Sequence, residues 1–271
     1  MPTPEFRAPH QSTSGAYLEY APDAALAPHV ECFWTRTPSL ESSGDARPQR
    51  VLPDGCADVI FLFDGELQAQ AVGTMTRPLV VEPTSGTSFL GARFRPGLAG
   101  AAFALPASAL ADLRVALSEL WPDSDELLDA MADTADVRGR IRVLSRAIAR
   151  RLLAAARASS PPAAVVHAIR RIDATRGNIA VAALCAELGV TRQHLARLFG
   201  RHVGISPKTL ARVVRARAIL VRVRGRALRD IDWSALALDA GYYDQSHLIA
   251  DFGELTGLTP AAWLAEARPR S

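Results

Sequence analysis

The C-terminal third of the chain states one pattern twice. From Ala183 the order is A-L-C-A-E-L-G-V-T-R-Q-H-L-A-R-L-F-G-R-H-V-G-I-S-P, and from Ala235 it is A-L-A-L-D-A-G-Y-Y-D-Q-S-H-L-I-A-D-F-G-E-L-T-G-L-T-P. Gly189 matches Gly241, Leu195 matches Leu248, Phe199 matches Phe252, Gly204 matches Gly257 and Pro207 matches Pro260. The offset grows from 52 to 53, so the second copy carries one extra residue after its first glycine. Each copy reads as a helix, a glycine turn, a second helix and a Gly-x-Ser/Thr-Pro stop, which is a helix-turn-helix. Two such units in one chain imply two contacts with one DNA duplex without any dimer.

Charge follows the same division. Residues 161–271 hold 16 Arg or Lys against 9 Asp or Glu, and residues 1–160 hold 15 against 19, so a half at +7 follows a half at −4. A basic half suits a polyanion, and the acidic half does something else. Only Lys208 is a lysine, a bias that reflects genome composition more than chosen guanidinium chemistry. No apolar run reaches the length of a membrane span, and the start M-P-T-P-E-F-R-A-P-H has no secretory signal. Cys32, Cys56 and Cys185 lie far apart, which points to a reduced cytoplasm, no disulfide framework and no metal site.

At 271 residues two domains are expected, in an α+β arrangement. Residues 1–15 are rich in Pro, Ser and Thr and read as a disordered N-terminus. Residues 16–157 read as an antiparallel, β-rich, barrel-like domain with helices after its strands. Its strands are expected at Ala16–Tyr20, His29–Thr35, Arg50–Leu52, Asp58–Phe63, Leu67–Val72, Leu79–Val81 and Thr87–Phe94. Helical spacing follows at Pro96–Leu105 and Ser108–Leu120, then from Asp123 to Arg157 with a break near Gly139. In the last stretch Val137, Ile141, Leu144, Ile148 and Leu152 draw one apolar stripe among arginines, the mark of a dimer or domain-packing seam. Residues 158–162 read as a linker, and residues 163–268 as an all-α domain of two helix-turn-helix units joined by a long helix. In that joining helix the apolar residues can pack on both units, with Arg212, Arg215, Arg217, Arg222 and Arg224 expected to face outwards.

Two units at this spacing, each closed by Gly-x-Ser/Thr-Pro and joined by an Arg-rich helix, are specific. The segment carries Leu184, Gly189-Val190-Thr191, Leu195, Leu198-Phe199 and Gly204-Ile205-Ser206-Pro207, then Arg215-x-Arg217-Ala218-x-x-Leu220. Its second half supplies Gly241-Tyr242-Tyr243-Asp244-Gln245-Ser246-His247-Leu248, Asp251-Phe252 and Thr256-Gly257-Leu258-Thr259-Pro260. In these residues it resembles the DNA-binding domain of the AraC/XylS family of bacterial transcription regulators. The stretches from Val51 to Ile60 and from Gly91 to Gly97 are similar to an uncharacterised sensor-like domain found fused to such readers. The resemblance implies a regulator that takes an effector or self-associates at its N-terminal half, and names no ligand.

Thr191 is a good N-cap for the first recognition helix. With Leu195, Leu198 and Phe199 inward, Arg192, Gln193, Ala196, Arg197 and Arg201 share the exposed side. Gln can pair with adenine and Arg with guanine; by the family pattern Gln193, Ala196 and Arg197 sit at base edges, and Arg201 suits a phosphate. The second unit exposes Gln245, Ser246, Ile249 and Ala250. The resemblance implies an arginine at the position of Ala250 and a basic residue at that of Gly253, and Asp251 adds a negative charge. The second unit is therefore expected to be the weaker reader. His194 and His247 recur at equivalent positions and read as packing residues.

In the N-terminal half Arg93 and Arg95 alternate on a strand and, with Trp34, Asp54 and Asp58, are candidate effector-pocket residues, or else paired surface charges. Cys56 after a Pro-Asp-Gly turn invites comparison with alkyl-accepting cysteines of DNA-repair proteins. Such chemistry needs a zinc-binding cysteine cluster, and only Cys32 is at hand, so the turn is the preferred reading. The expectation is a cytoplasmic, non-enzymatic, sequence-specific regulator with no cofactor. Its partners would be double-stranded promoter DNA, RNA polymerase, a small-molecule effector and a second copy of the chain, with no membrane. The rivals are a DNA-targeted alkyl-transfer or other enzyme, and an architectural DNA-binding protein without an effector.

Overall fold

The computed structural model describes residues 17–37, 49–81, 86–155 and 161–266. The expected N-terminal tail and most of the expected linker lie outside the described residues. Among the described residues eight strands form: β1 (Tyr17–Tyr20), β2 (Val30–Arg36), β3 (Gln49–Val51), β4 (Ala57–Asp64), β5 (Glu66–Val72), β6 (Leu79–Val81), β7 (Ser88–Phe94) and β8 (Arg114–Ala116). Six of them make an antiparallel sheet in the order β1-β2-β7-β4-β5-β8, and β3 pairs with β6 as a separate two-stranded ribbon.

Alternation gives the sheet two different faces. One carries Phe33, Val59, Phe61, Ala92 and Phe94, all essentially buried, and packs on helices. These are α1 (Ala99–Phe103), α2 (Ser124–Ala132) and α3 (Val137–Ala155). Leu144 and Ile148 of α3 are buried in this core, with Val137, Ile141 and Leu152 packed against it, so the apolar stripe is a domain-packing seam. Its arginines help: Arg140 lies over the Phe63 ring at 4.2 Å, and Arg151 over the Trp121 ring at 3.7 Å while pairing with Asp123.

Two helix expectations are corrected. Ser108–Leu120 is a short 3-10 turn at Ala107–Ala109, strand β8, and another 3-10 turn at Leu117–Glu119. Asp112 adopts φ 57°, which stops a helix, and its carboxylate accepts from the Thr76 amide and hydroxyl. The later break falls before Val137, and Gly139 lies inside the first turn of α3, its N–H donating to Asp136 Oδ1 at 2.9 Å.

The rest is helical: α4 (Ala163–Ala174), α5 (Val181–Leu188), α6 (Arg192–His202), α7 (Pro207–Val223), α8 (Trp233–Asp239), α9 (Gln245–Thr256) and α10 (Pro260–Glu266). Leu184, Leu195 and Phe199 centre one small core, and Leu236, Leu248 and Phe252 centre the other, so the repeated residues are those that build the units. The turns repeat as well: the Val190 N–H donates to Cys185 O at 3.1 Å and the Tyr242 N–H to Ala237 O at 2.9 Å. The extra residue of the second copy is thereby located as Tyr243, which stands exposed between that turn and the N-cap Asp244.

α7 belongs to both cores, Leu210, Ala211 and Val214 to the first and Ile219, Leu220 and Val223 to the second. Its arginines do not all face outwards. Arg212 pairs with Asp251 and Glu254, and Arg215 donates to Gly177 O at 2.9 Å while lying 4.9 Å from the Tyr242 ring centre. Arg217 is 9% exposed and reaches the N-terminal domain. Among the described residues, no helix is long and apolar enough to cross a membrane.

Candidate nucleic-acid interface and regulatory chamber

The first recognition helix, α6, is fixed from behind. Leu195 and Phe199 are fully buried, and Thr191 caps the helix by accepting from the His194 N–H at 3.1 Å. The other face is open: Arg192, Gln193, Ala196, Arg197 and Arg201 are all exposed, and Arg197 Nη2 stands 3.2 Å from His194 Nδ1. Guanidinium, amide and methyl groups on one rigid face are the set that reads base edges in a major groove. Arg201 lies at the far end, where α6 meets Gly100, Ala104, Leu105 and Pro106 of the N-terminal domain.

The second recognition helix, α9, is capped the same way, Asp244 accepting from the His247 N–H at 2.7 Å. Its candidates are less free. Gln245 Oε1 accepts from the Ser234 hydroxyl at 3.1 Å, and Ile249 packs against the second core, which leaves Ser246 and Ala250 exposed. The Asp251 carboxylate is not a surface charge. It is buried, accepts from the Tyr242 hydroxyl at 2.9 Å and pairs with Arg212, so its role is to lock α9 to α7.

In the N-terminal domain, Trp34, Asp58 and Arg93 come together on the sheet face that turns away from the helices. The Trp34 indole N–H donates to Asp58 Oδ1 at 2.8 Å, and Arg93 Nε lies 3.3 Å from Asp54 and 3.6 Å from Asp58. Gly91 makes this possible, because any side chain there would collide with the Trp34 ring. Burial pushes the Asp58 carboxyl up to about 6 against the pull of Arg93. Burial also works against the charge of Arg93, yet Asp58 and Asp54 outweigh it and hold that guanidinium well above the ordinary arginine range. Arg95 is elsewhere: it lies past the end of β7, is exposed, and donates to Ala27 O at 2.9 Å.

Trp34, Asp58 and Arg93 floor a chamber of about 120 Å³ between the sheet and the β3–β6 ribbon, and Asp54 does not line it. Ile60, Leu62 and Phe89 line it from the sheet, Val51, Leu79 and Val81 from the ribbon, and Arg36 and Arg114 from its rim. The sequence reading missed Arg36, Arg114 and the ribbon, because strand register brings them together and no local pattern does. Cys56 is not a thiolate: its buried thiol lies 3.4 Å from Glu31 Oε2, and burial pushes its pKa up, the wrong direction for a nucleophile.

Chamber and reader are in contact. The chain leaving β3 packs Leu52 against the second core, and Arg50 lies 3.6 Å from Glu266 of α10. It then passes Asp54, whose carbonyl accepts from Arg217 of α7 at 3.2 Å, and Gly55, which faces Leu210. After β5, the Thr74 hydroxyl donates to Val203 O at 2.7 Å.

Residues 184–266 match a family described as a helix-turn-helix domain, and residues 18–116 match a domain of unknown function, DUF6597. No curated protein sequence matches the chain. Among solved structures the chain is similar to ToxT from Vibrio cholerae. The apo form of a single-substitution variant from strain SCE256 is 11% identical at a TM-score of 0.41, covering 96% of this chain and all of that one. A 1.65 Å structure is 9% identical at a TM-score of 0.43, covering 93% of this chain and 98% of that one. An unsaturated fatty acid bound wild-type form is 12% identical at a TM-score of 0.40, covering 93% and 95%. The chain thus sets a helix-turn-helix domain, over residues 184–266, behind a domain of unknown function, over residues 18–116.

Proposed function

We propose that the protein reads promoter DNA through two successive major-groove segments, mainly with Gln193 and Arg197 of α6, and that its N-terminal domain controls this reading in response to a small molecule. The observation that supports base readout is the exposed face of α6, held rigid by Leu195, Phe199 and the Thr191 cap. Arg192 and Arg201 serve phosphates, Ala196 lets the helix approach closely, and Gln245, Ser246, Ile249 and Ala250 form the weaker contact. Trp34, Asp58 and Arg93 belong to the effector chamber, whereas Asp54 pairs with Arg93 without lining it and Arg95 lies outside it. The domains are residues 16–157 and 163–268, joined through 158–162.

The protein works in the cytoplasm and by binding rather than by chemistry, in line with the protonated, buried Cys56 thiol. It acts on RNA polymerase at the same promoter. One chain supplies two DNA contacts, so a homodimer would double an already complete reader. Arg197→Ala tests the reading: affinity for the selected site should fall about 5- to 150-fold, the equivalent of about 1–3 kcal/mol for one bidentate pair. Affinity for random DNA should change far less; an equal loss on both would make Arg197 a phosphate contact.

A further inference from the structure

The chamber has a composition that selects a ligand. Its walls are Ile60, Leu62, Leu79 and Phe89, so the body of an occupant must be apolar. At about 120 Å³ it is somewhat smaller than a cavity of about 150 Å³ that holds benzene, which limits that body to a single ring or a short chain.

Charge is the second selector. Among the described residues that line the chamber, Asp58 is the one acidic residue, against Arg36, Arg93 and Arg114. Arg93 is already matched by Asp54 and Asp58. Arg36 is half-buried at the end of β2, 5.9 Å from the Phe89 ring centre, and burial lowers its pKa. Among the described residues no carboxylate lies within ion-pair distance of Arg36. A partly desolvated guanidinium at the mouth of an apolar chamber is completed by an anion.

The roof is the third. The β3–β6 ribbon that covers the chamber with Val51, Leu79 and Val81 also meets the second helix-turn-helix unit, through Leu52, the Arg50–Glu266 pair and Pro78 beside Gly257. Whatever fixes the underside of the ribbon therefore acts on the unit above it.

We propose that the chamber binds a compact amphipathic anion, a ring-sized apolar body bearing one carboxylate or similar head, with the head at Arg36 and the body under the β3–β6 ribbon, and that the ribbon carries occupancy to the second helix-turn-helix unit. This rests on the regulatory reading of the N-terminal domain and names its ligand class and its route.

Calorimetric titration of the full chain, without DNA, tests it with benzoate, hexanoate, benzylamine and hexadecanoate as probes. Benzoate or hexanoate should bind one per chain, benzylamine should not bind, and hexadecanoate should bind at least tenfold more weakly than the better short acid. Arg36→Met should weaken the acid at least tenfold. Leu79→Trp, which fills the chamber from its roof, should abolish binding without changing charge, and Arg95→Met should leave it unchanged. Saturation with the acid should slow amide exchange in β3, in β6 and at Gly257. Failure of both short acids, equal binding of the amine, equal or tighter binding of the long acid, or an unaltered affinity in Arg36→Met would overturn the ligand class. Binding without any change in exchange at the ribbon would overturn the route. DNA-site selection by the same preparation separates this claim from the regulator reading: a protein that selects a site but binds no probe loses the ligand and keeps the reader.

Discussion

Arg217 of α7 donates to the backbone carbonyl of Asp54, a residue 163 positions earlier in the chain, at 3.2 Å. Asp54 in turn pairs with Arg93 at the floor of the chamber, so one short path of ion pair and hydrogen bond joins the chamber to the helix that spaces the two helix-turn-helix units. Arg217→Met should weaken the docking of the two domains by about 1.5–3 kcal/mol, the range for a hydrogen bond to a charged group. Thermal unfolding checks this, because the N- and C-terminal halves should then melt further apart than in the wild type. A single unchanged transition would mean that the contact couples nothing.

The two units should fail separately. Phe199 and Phe252 are equivalent, fully buried and in different cores. Either change to Ala should cost about 3–5 kcal/mol in its own unit. Amide exchange would locate the loss: Phe252→Ala should expose α8 and α9 while α5 and α6 stay protected.

Asp58 makes the stability of the N-terminal domain depend on pH. Its carboxyl ionises near 3.8 in an ordinary setting and near 6 in the fold, so the folded state holds the proton more tightly. The stability linked to it is complete below about pH 4, falls as pH rises to about 6, and is flat beyond. Urea unfolding from pH 4 to 7 should show this decline in the wild type and a flatter profile in Asp58→Asn. A parallel decline in both would assign the dependence to other groups.

The second unit should be open to improvement. Ala250 is exposed at the position where the resemblance implies an arginine. Ala250→Arg should tighten DNA binding and steepen the slope of log affinity against log salt by about 0.9, the value for one more phosphate neutralised. An unchanged slope would show that α9 does not approach the backbone there.

Much of this was legible in the sequence because it is local. The paired glycines and the Leu195/Leu248 and Phe199/Phe252 matches fix both units, and period-two runs located seven of the eight strands. β8 was not legible: three residues, Arg114–Ala116, sit among apolar spacings that also suit a helix, and only pairing with β5 makes them a strand. Gly91 was a readable signal for the chamber, since a glycine inside a strand marks a close approach, here that of Trp34. Arg217 and Arg36 were not. On a helix or strand end they look like solvated charges, and only tertiary contact shows one reaching Asp54 and the other half-buried beside Phe89.

The two linked units are proposed to read DNA asymmetrically. Selecting sites for the full chain from a random DNA pool measures this asymmetry directly. The predicted outcome is a motif of two segments, about 10–10.5 base pairs apart from centre to centre, with most of the information in one segment, and with that segment's information lost in Arg197→Ala. A pool that yields no motif, or two segments of equal weight that both survive Arg197→Ala, would contradict the account.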